Sequence, residues 1–135
     1  MASSFRFRKK TDYGLIMVSL LSERGRDNVM SVREMQDMGL PRSFLVKIAK
    51  DLVDNKIIGA KEGRGGGYFL RVDPKKVTLK EVVEVLEGRL GTAECVHGVK
   101  CPLYEACPHK KVMKVLSDEL GAVLDKHTIS DLAKN

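Results

Sequence analysis

Hydrophobic positions fall into helical stripes over most of the chain. From residue 11 to 24, Tyr13, Ile16, Met17, Leu20 and Leu21 sit at i, i+3, i+4, i+7 and i+8, which predicts an amphipathic helix. Thr11 is placed to cap its start, and Asp12 then lies in the first turn, where negative charge is favoured. "SVRE" at 31–34 has the form of a capping box and predicts a short helix with Val32 and Met35 inward, ending near Gly39. Pro41 suits the start of a further helix over 42–55, in which Leu45, Ile48, Ala49, Leu52 and Val53 repeat the stripe. The other face of that helix carries Arg42, Ser43, Val46, Lys47 and Lys50.

The period then changes. Residues 57–61 and 68–72 read as two short strands with a glycine-rich turn between them. "TLKE" at 78–81 is a second capping box, and Leu79, Val82, Val83 and Leu86 form the inward face of a helix that ends at Gly88. A loop-like, cysteine-bearing stretch follows. A longer helix spans 109–125, with Val112, Val115, Leu116, Leu120, Val123 and Leu124 on one side. It is long for so small a domain, which makes it a candidate for pairing with its copy in a dimer; the alternative is packing within one chain. "TISD" at 128–131 starts a last turn.

Helix, short helix, turn, helix and hairpin in that order outline a winged helix-turn-helix. The expected fold is mostly α with a small β-hairpin wing, followed by a long dimerisation helix. Residues 1–76 would form the DNA-binding domain, and residues 77–135 the cysteine loop and dimerisation helix.

Composition sharpens this in two ways. The 135 residues carry a formal charge of +6, which suits a polyanionic partner; the alternative is a solvated basic surface with no partner. No apolar run approaches the roughly 18–20 residues needed to span a membrane. The basic start, "MASSFRFRKKTD", lacks the apolar core of a signal peptide, so a cytoplasmic location is expected. No nucleophile–base pair, paired catalytic carboxylates or cofactor fingerprint stands in context, and the chain is not expected to be an enzyme.

A helix that presents Arg, Ser and Lys outward beside an apolar stripe can reach base edges and phosphates in a major groove. The candidate DNA contacts are Arg42, Ser43, Lys47 and Lys50, with Phe44 placed either to touch a thymine methyl or to flank the core. In "EGRGGGY" the strand that follows argues against a nucleotide-binding loop. A wing tip with Arg64 at its apex, able to enter a minor groove, fits better.

All three cysteines, Cys95, Cys101 and Cys107, lie within "GTAECVHGVKCPLYEACPHKK", with five residues between neighbours. The odd count argues against an intrachain disulfide framework, and clustered thiols in a reducing compartment point to metal or redox chemistry rather than three buried structural thiols. Three thiolates can anchor an iron–sulfur cluster or zinc, and either needs a fourth ligand. By chemistry the candidates are His97, His109, His127, a nearby carboxylate or an external ligand. Thiol oxidation without a metal, or a zinc-stapled module, would also use these cysteines.

"TDYGLIMVSLL", "LPRSFLVKIAKDLVDNKII", "GRGGGYFL", "TLKEVVEVLEG", "CPLYEAC" and "TISDLAK" together resemble the Rrf2 family of bacterial transcription regulators, which includes members of the IscR, NsrR and RirA kinds. The resemblance covers nearly the whole chain. It implies a dimer, double-stranded DNA with a roughly palindromic operator as partner, and Cys95, Cys101 and Cys107 as ligands of an iron–sulfur cluster. IscR-like members place a histidine three residues after the last cysteine, where this chain has Lys110, and His109 is one residue early. "KTDYGL" and "CPLYEAC" resemble the NsrR-like branch, in which an aspartate at the start of the first helix of the partner subunit completes a [4Fe-4S] cluster. Asp12 matches that position, so the resemblance favours [4Fe-4S] over [2Fe-2S]. Many relatives carry a basic residue two positions before the glycine-flanked wing residue, where this chain has Glu62.

The function expected is a homodimeric DNA-binding regulator whose affinity for DNA is controlled by that cluster, sensing nitric oxide, redox state or the supply of iron or clusters.

Overall fold

The local signals in the chain close into an ordered set of elements. A computed structural model describes residues 6–92 and 101–133. The elements are α1 (Lys9–Arg24), α2 (Val32–Asp37), α3 (Arg42–Asp54), β1 (Ile58–Lys61), β2 (Gly67–Leu70), α4 (Leu79–Glu87), α5 (Lys110–Asp125) and α6 (Ile129–Leu132). Ser31 and Glu34 form the expected capping box: Oγ accepts the Glu34 N–H at 3.1 Å, and the carboxylate accepts the Ser31 N–H at 2.8 Å. Thr78 and Glu81 repeat it at α4, and at α6 the Asp131 carboxylate accepts the Thr128 N–H at 3.0 Å. Each such cap contributes about 1 kcal/mol. α3 starts directly after Pro41, whose fixed φ suits that position.

The start of α1 differs from expectation. The helix begins at Lys9, two residues earlier, and Thr11 lies inside its first turn rather than capping it. Thr11 is fully buried, and its Oγ1 has no hydrogen-bond partner among the described residues. The inward face is also rotated. It consists of Thr11, Gly14, Met17, Val18 and Leu21, while Ile16 is 40% exposed. Gly14 explains the rotation: a Cβ there would stand 2.4 Å from Cδ1 of Leu86, so the missing side chain lets α4 press against α1.

One core runs through the chain. Met17, Val18 and Leu21 of α1 meet Leu45, Ile48 and Leu52 of α3, Ile58 and Leu70 of the hairpin, Val82 and Leu86 of α4, and Ile129 of α6. The helix-turn-helix and the segment after residue 76 therefore share their apolar interior. The C-terminal turn is bound to the start of α4: Leu79 donates to the His127 carbonyl at 2.8 Å and Ile129 to the Val77 carbonyl at 3.0 Å.

β1 and β2 pair antiparallel, with Ile58 opposite Leu70 and Lys61 opposite Gly67. Tyr68 also exchanges two backbone hydrogen bonds with Met30, at 2.8 and 2.9 Å, which fastens the wing to the residue before the α2 cap. This approach needs a glycine at position 67. Its φ is +151°, and a Cβ there would lie 2.2 Å from the Met30 carbonyl oxygen.

α5 presents two faces. Ser117, Gly121 and Leu124 are buried, with Gly121 against Lys80 of α4. Val112, Val115, Leu116 and Val123, roughly 150° away around the helix, are 42–54% exposed in the single chain. The apolar stripe read from the sequence is thus largely the uncovered face, except that Leu120 is half-buried and Leu124 turns inward.

Candidate nucleic-acid interface and cysteine loop

α2 and α3, joined by the turn through Gly39, form the helix-turn-helix. Leu45, Ile48, Ala49 and Leu52 hold α3 to the core. That anchorage leaves Arg42, Ser43, Val46, Lys47 and Lys50 exposed on its outer face. Lys50 is not free: its ammonium meets the Asp54 carboxylate at 2.7 Å, and this hydrogen bond and charge raise the lysine pKa. Phe44 does not share the outer face. It is half-buried, and its ring centroid lies 5.1 Å from that of Tyr13 on α1.

Arg64 stands at the exposed tip of the hairpin between Gly63 and Gly65, which have φ of +87° and +75°. Lys61 and Glu62 beside it are exposed as well. The outer face of α3 and the wing tip together offer the cations that a duplex requires: side chains at base edges and charges at the backbone.

The cysteine stretch begins and ends on α5. Thr92 donates its N–H to Ser117 Oγ at 2.8 Å and its hydroxyl to the Met113 carbonyl at 2.6 Å, and Ser117 Oγ also reaches that carbonyl at 2.9 Å. Neither residue stood out in the sequence reading. The available signal was the single serine of α5, set among its apolar and charged positions. Cys95 and His97 lie outside the described residues. Cys101 is exposed and Cys107 half-buried, both as free thiols, on a run of turns in which Tyr104 donates to the Cys101 carbonyl at 3.0 Å.

The histidine candidates separate in space. His109 immediately precedes α5 and is exposed, two residues after Cys107. His127 follows the opposite end of this 16-residue helix, about 24 Å away, and faces Asp131 at 3.8 Å. It cannot share a ligand set with Cys107 in one chain. Lys110, in the position of the IscR-like histidine, lies with its ammonium 4.4 Å from the Tyr104 ring centroid, a cation–π contact. Asp12 is exposed on the first turn of α1. Among the described residues no three His, Cys, Asp or Glu side chains gather closely enough to hold a metal.

Comparison with known proteins agrees with this architecture. Residues 7–135 match the family model Rrf2, described as an iron-dependent transcriptional regulator. The chain is 32% identical to the HTH-type transcriptional regulator NsrR of Bacillus subtilis, over 93% of this chain and 88% of that protein. It is 30% identical to the HTH-type transcriptional repressor NsrR of Streptomyces coelicolor, over 94% and 87%. The solved structure of CymR, the global cysteine regulator of B. subtilis, superposes with a TM-score of 0.75 at 25% identity, covering 96% of each chain. No helix among the described residues is long and apolar enough to cross a membrane. With the family model matched from residue 7 to the last residue, and with a winged helix-turn-helix to go with it, the chain belongs to the Rrf2 family of DNA-binding transcriptional regulators.

Proposed function

We propose that this transcription regulator acts as a homodimer whose DNA affinity is set by an iron–sulfur cluster. Cys95, Cys101 and Cys107 of one subunit and Asp12 of the partner subunit are the proposed ligands. The observation that carries this reading is the pairing of two features at α5. Accessible, unpaired Cys101 and Cys107 stand just before a helix whose apolar face, Val112, Val115, Leu116 and Val123, is left uncovered. A second copy is the partner that would cover such a face and bring an outside donor to the cysteines.

The donor chemistry fits the group. Thiolates are the usual anchors of iron–sulfur clusters. Lys110 is held over Tyr104 and offers no lone pair while charged. His127 is at the wrong end of α5 to join Cys107 within one chain; the NsrR-like resemblance puts exposed Asp12 of the partner subunit in the fourth place, with His109 as the alternative. The same donors favour [4Fe-4S] over [2Fe-2S] only through the NsrR-like position of Asp12. When bound, the cluster would supply a link between subunits that nitric oxide, oxidation or iron shortage can break; a carboxylate is a harder and weaker ligand for it than thiolate.

The rest of the mechanism belongs to the chain itself. Asp12 lies in the first turn of α1. Tyr13 carries that position to Phe44, and Lys10 carries it to Asp51 through an ion pair, both on α3. Arg42, Ser43 and Lys47 would then read a major groove, and Arg64 a flanking minor groove, on each half of a roughly palindromic operator. Cluster state and DNA affinity must bias each other reciprocally.

Iron and acid-labile sulfide per chain, measured on protein purified without oxygen, test the reading. About four of each supports [4Fe-4S] and about two supports [2Fe-2S]. Protein that is kept reduced and carries no iron overturns it. That outcome would favour the second reading, in which exposed Cys101 acts through reversible thiol oxidation.

A further inference from the structure

Residues 6–10 carry four cations, Arg6, Arg8, Lys9 and Lys10, none of them on α3 or at the wing tip. Arg6, Arg8 and Lys9 are exposed, and no ion pair among the described residues engages them. Their place in the fold is fixed from two sides. The Arg8 backbone N–H donates to Glu87 at the end of α4 at 3.1 Å. Lys10 pairs with Asp51 of α3, and Tyr13 one turn later packs on Phe44 at the start of α3. The N-terminal turn of α1 therefore lies along one flank of α3.

That flank borders the outer face. Asp51 is four residues beyond Lys47, so the two point only about 40° apart around the helix axis. Lys47 is exposed and Asp51 half-buried, which places the edge of the outer face between them. Lys10 is held at that edge by Asp51, and its own charge is offset there. The neighbouring Arg6, Arg8 and Lys9 keep theirs. A duplex seated on Arg42, Ser43 and Lys47 brings a sugar–phosphate strand along each flank of α3, and the wing tip serves a separate position.

We infer that Arg6, Arg8 and Lys9 form a phosphate clamp at the start of α1, which grips the DNA backbone beside the recognition helix. The inference rests on the DNA-binding reading and adds a sequence-independent contact to it. Lys10 is a positioning residue: through Asp51 it aligns the clamp with α3 and touches no phosphate. The clamp also lies within three to six residues of Asp12, so any movement of the first turn of α1 moves the clamp with it.

The test is the salt dependence of binding to a fluorescent mixed-sequence duplex by the full-length chain. Each phosphate contact contributes a slope of about −0.9 in log K against log salt concentration. The combined variant Arg6→Ala, Arg8→Ala, Lys9→Ala should reduce the magnitude of that slope by about 2 to 3 per chain and weaken binding to every duplex by a similar factor. The lysine-retaining variant Arg6→Lys, Arg8→Lys should keep the wild-type slope, and thermal unfolding of both variants should match wild type because these side chains are exposed. An unchanged slope in the alanine variant, with wild type binding normally, overturns the clamp and leaves the DNA-binding reading intact. Failure of the wild-type chain to bind duplex at low salt would overturn both.

Discussion

The rings of Tyr13 and Phe44 meet with their centroids 5.1 Å apart and their planes tilted by 57°, joining the residue after Asp12 to the first turn of α3. Tilted aromatic pairs contribute about 0.5–1.5 kcal/mol beyond the area they bury. Tyr13→Leu keeps much of the apolar bulk and removes the ring. It should lower stability to denaturant by about 1 kcal/mol and shrink the difference in DNA affinity between cluster-bound and cluster-free protein. Equilibrium unfolding and DNA titration of the two forms check it. Unchanged values in both would remove this contact from the coupling.

The uncovered face of α5 makes a separate prediction. Leu116→Glu together with Val123→Glu places two charges where the subunits would meet, on side chains that are 42% and 51% exposed in the single chain. The variant should sediment as a monomer with native helical content, because neither residue belongs to the core cluster. The wild-type melting temperature should rise with protein concentration, as it does for any dimer that unfolds to monomers. A dimer that survives both charges would mean that the subunits associate elsewhere.

Gly67 is where the wing meets the helix-turn-helix. Gly67→Ala would force a Cβ to 2.2 Å from the Met30 carbonyl at a φ of +151°. The cost should be about 2–3 kcal/mol of stability, with loss of the Met30–Tyr68 bridge and of wing-dependent DNA affinity. Gly63→Ala has open space around it and only its φ of +87° to oppose it, so it should cost about 1 kcal/mol. Thermal unfolding of the two variants side by side distinguishes a close approach from a simple turn preference.

Glu34 gives the protein an acid-side dependence. The Ser31 backbone N–H first, and the Arg24 guanidinium second, hold its carboxyl below the usual value of 4.5. A carboxyl lowered in the folded state contributes stability above its unfolded pKa and loses it as pH falls through the folded value. Glu34→Gln retains an acceptor for the Ser31 N–H and removes the titration. The stability advantage of wild type over Glu34→Gln should be constant at neutral pH and decline below about pH 4.5. A difference that stays flat into acid would show that the carboxylate charge contributes nothing at this cap.

Much of the fold was legible because its signals are local. The capping boxes at Ser31 and Thr78, the stripe of α3 and the glycine-rich hairpin each depend on residues a few positions apart. The start of α1 was not legible. Thr11 has the chemistry of a cap, but Gly14 admits Leu86 from a helix more than sixty residues away, and the inward face turns toward it. The exposed stripe of α5 was visible as apolar. That it faces outward follows from Ser117 and Gly121, small residues chosen by contacts with Thr92 and Lys80 that no periodicity reveals. Of the interface residues, Arg42, Ser43, Lys47 and Arg64 stand exposed where the pattern put them, while Phe44 is drawn inward by Tyr13.

The most direct test of cluster control is the DNA affinity of one anaerobic preparation before and after its iron is removed. The duplex would be one that the iron-loaded protein selects from a random-sequence pool, and the salt concentration would be held fixed. The affinity should change by about 5- to 150-fold, the usual range of coupling between two sites, and Asp12→Ala should reduce that change. Equal affinity with and without iron would contradict it, and would leave a DNA-binding protein whose cysteines serve some other end.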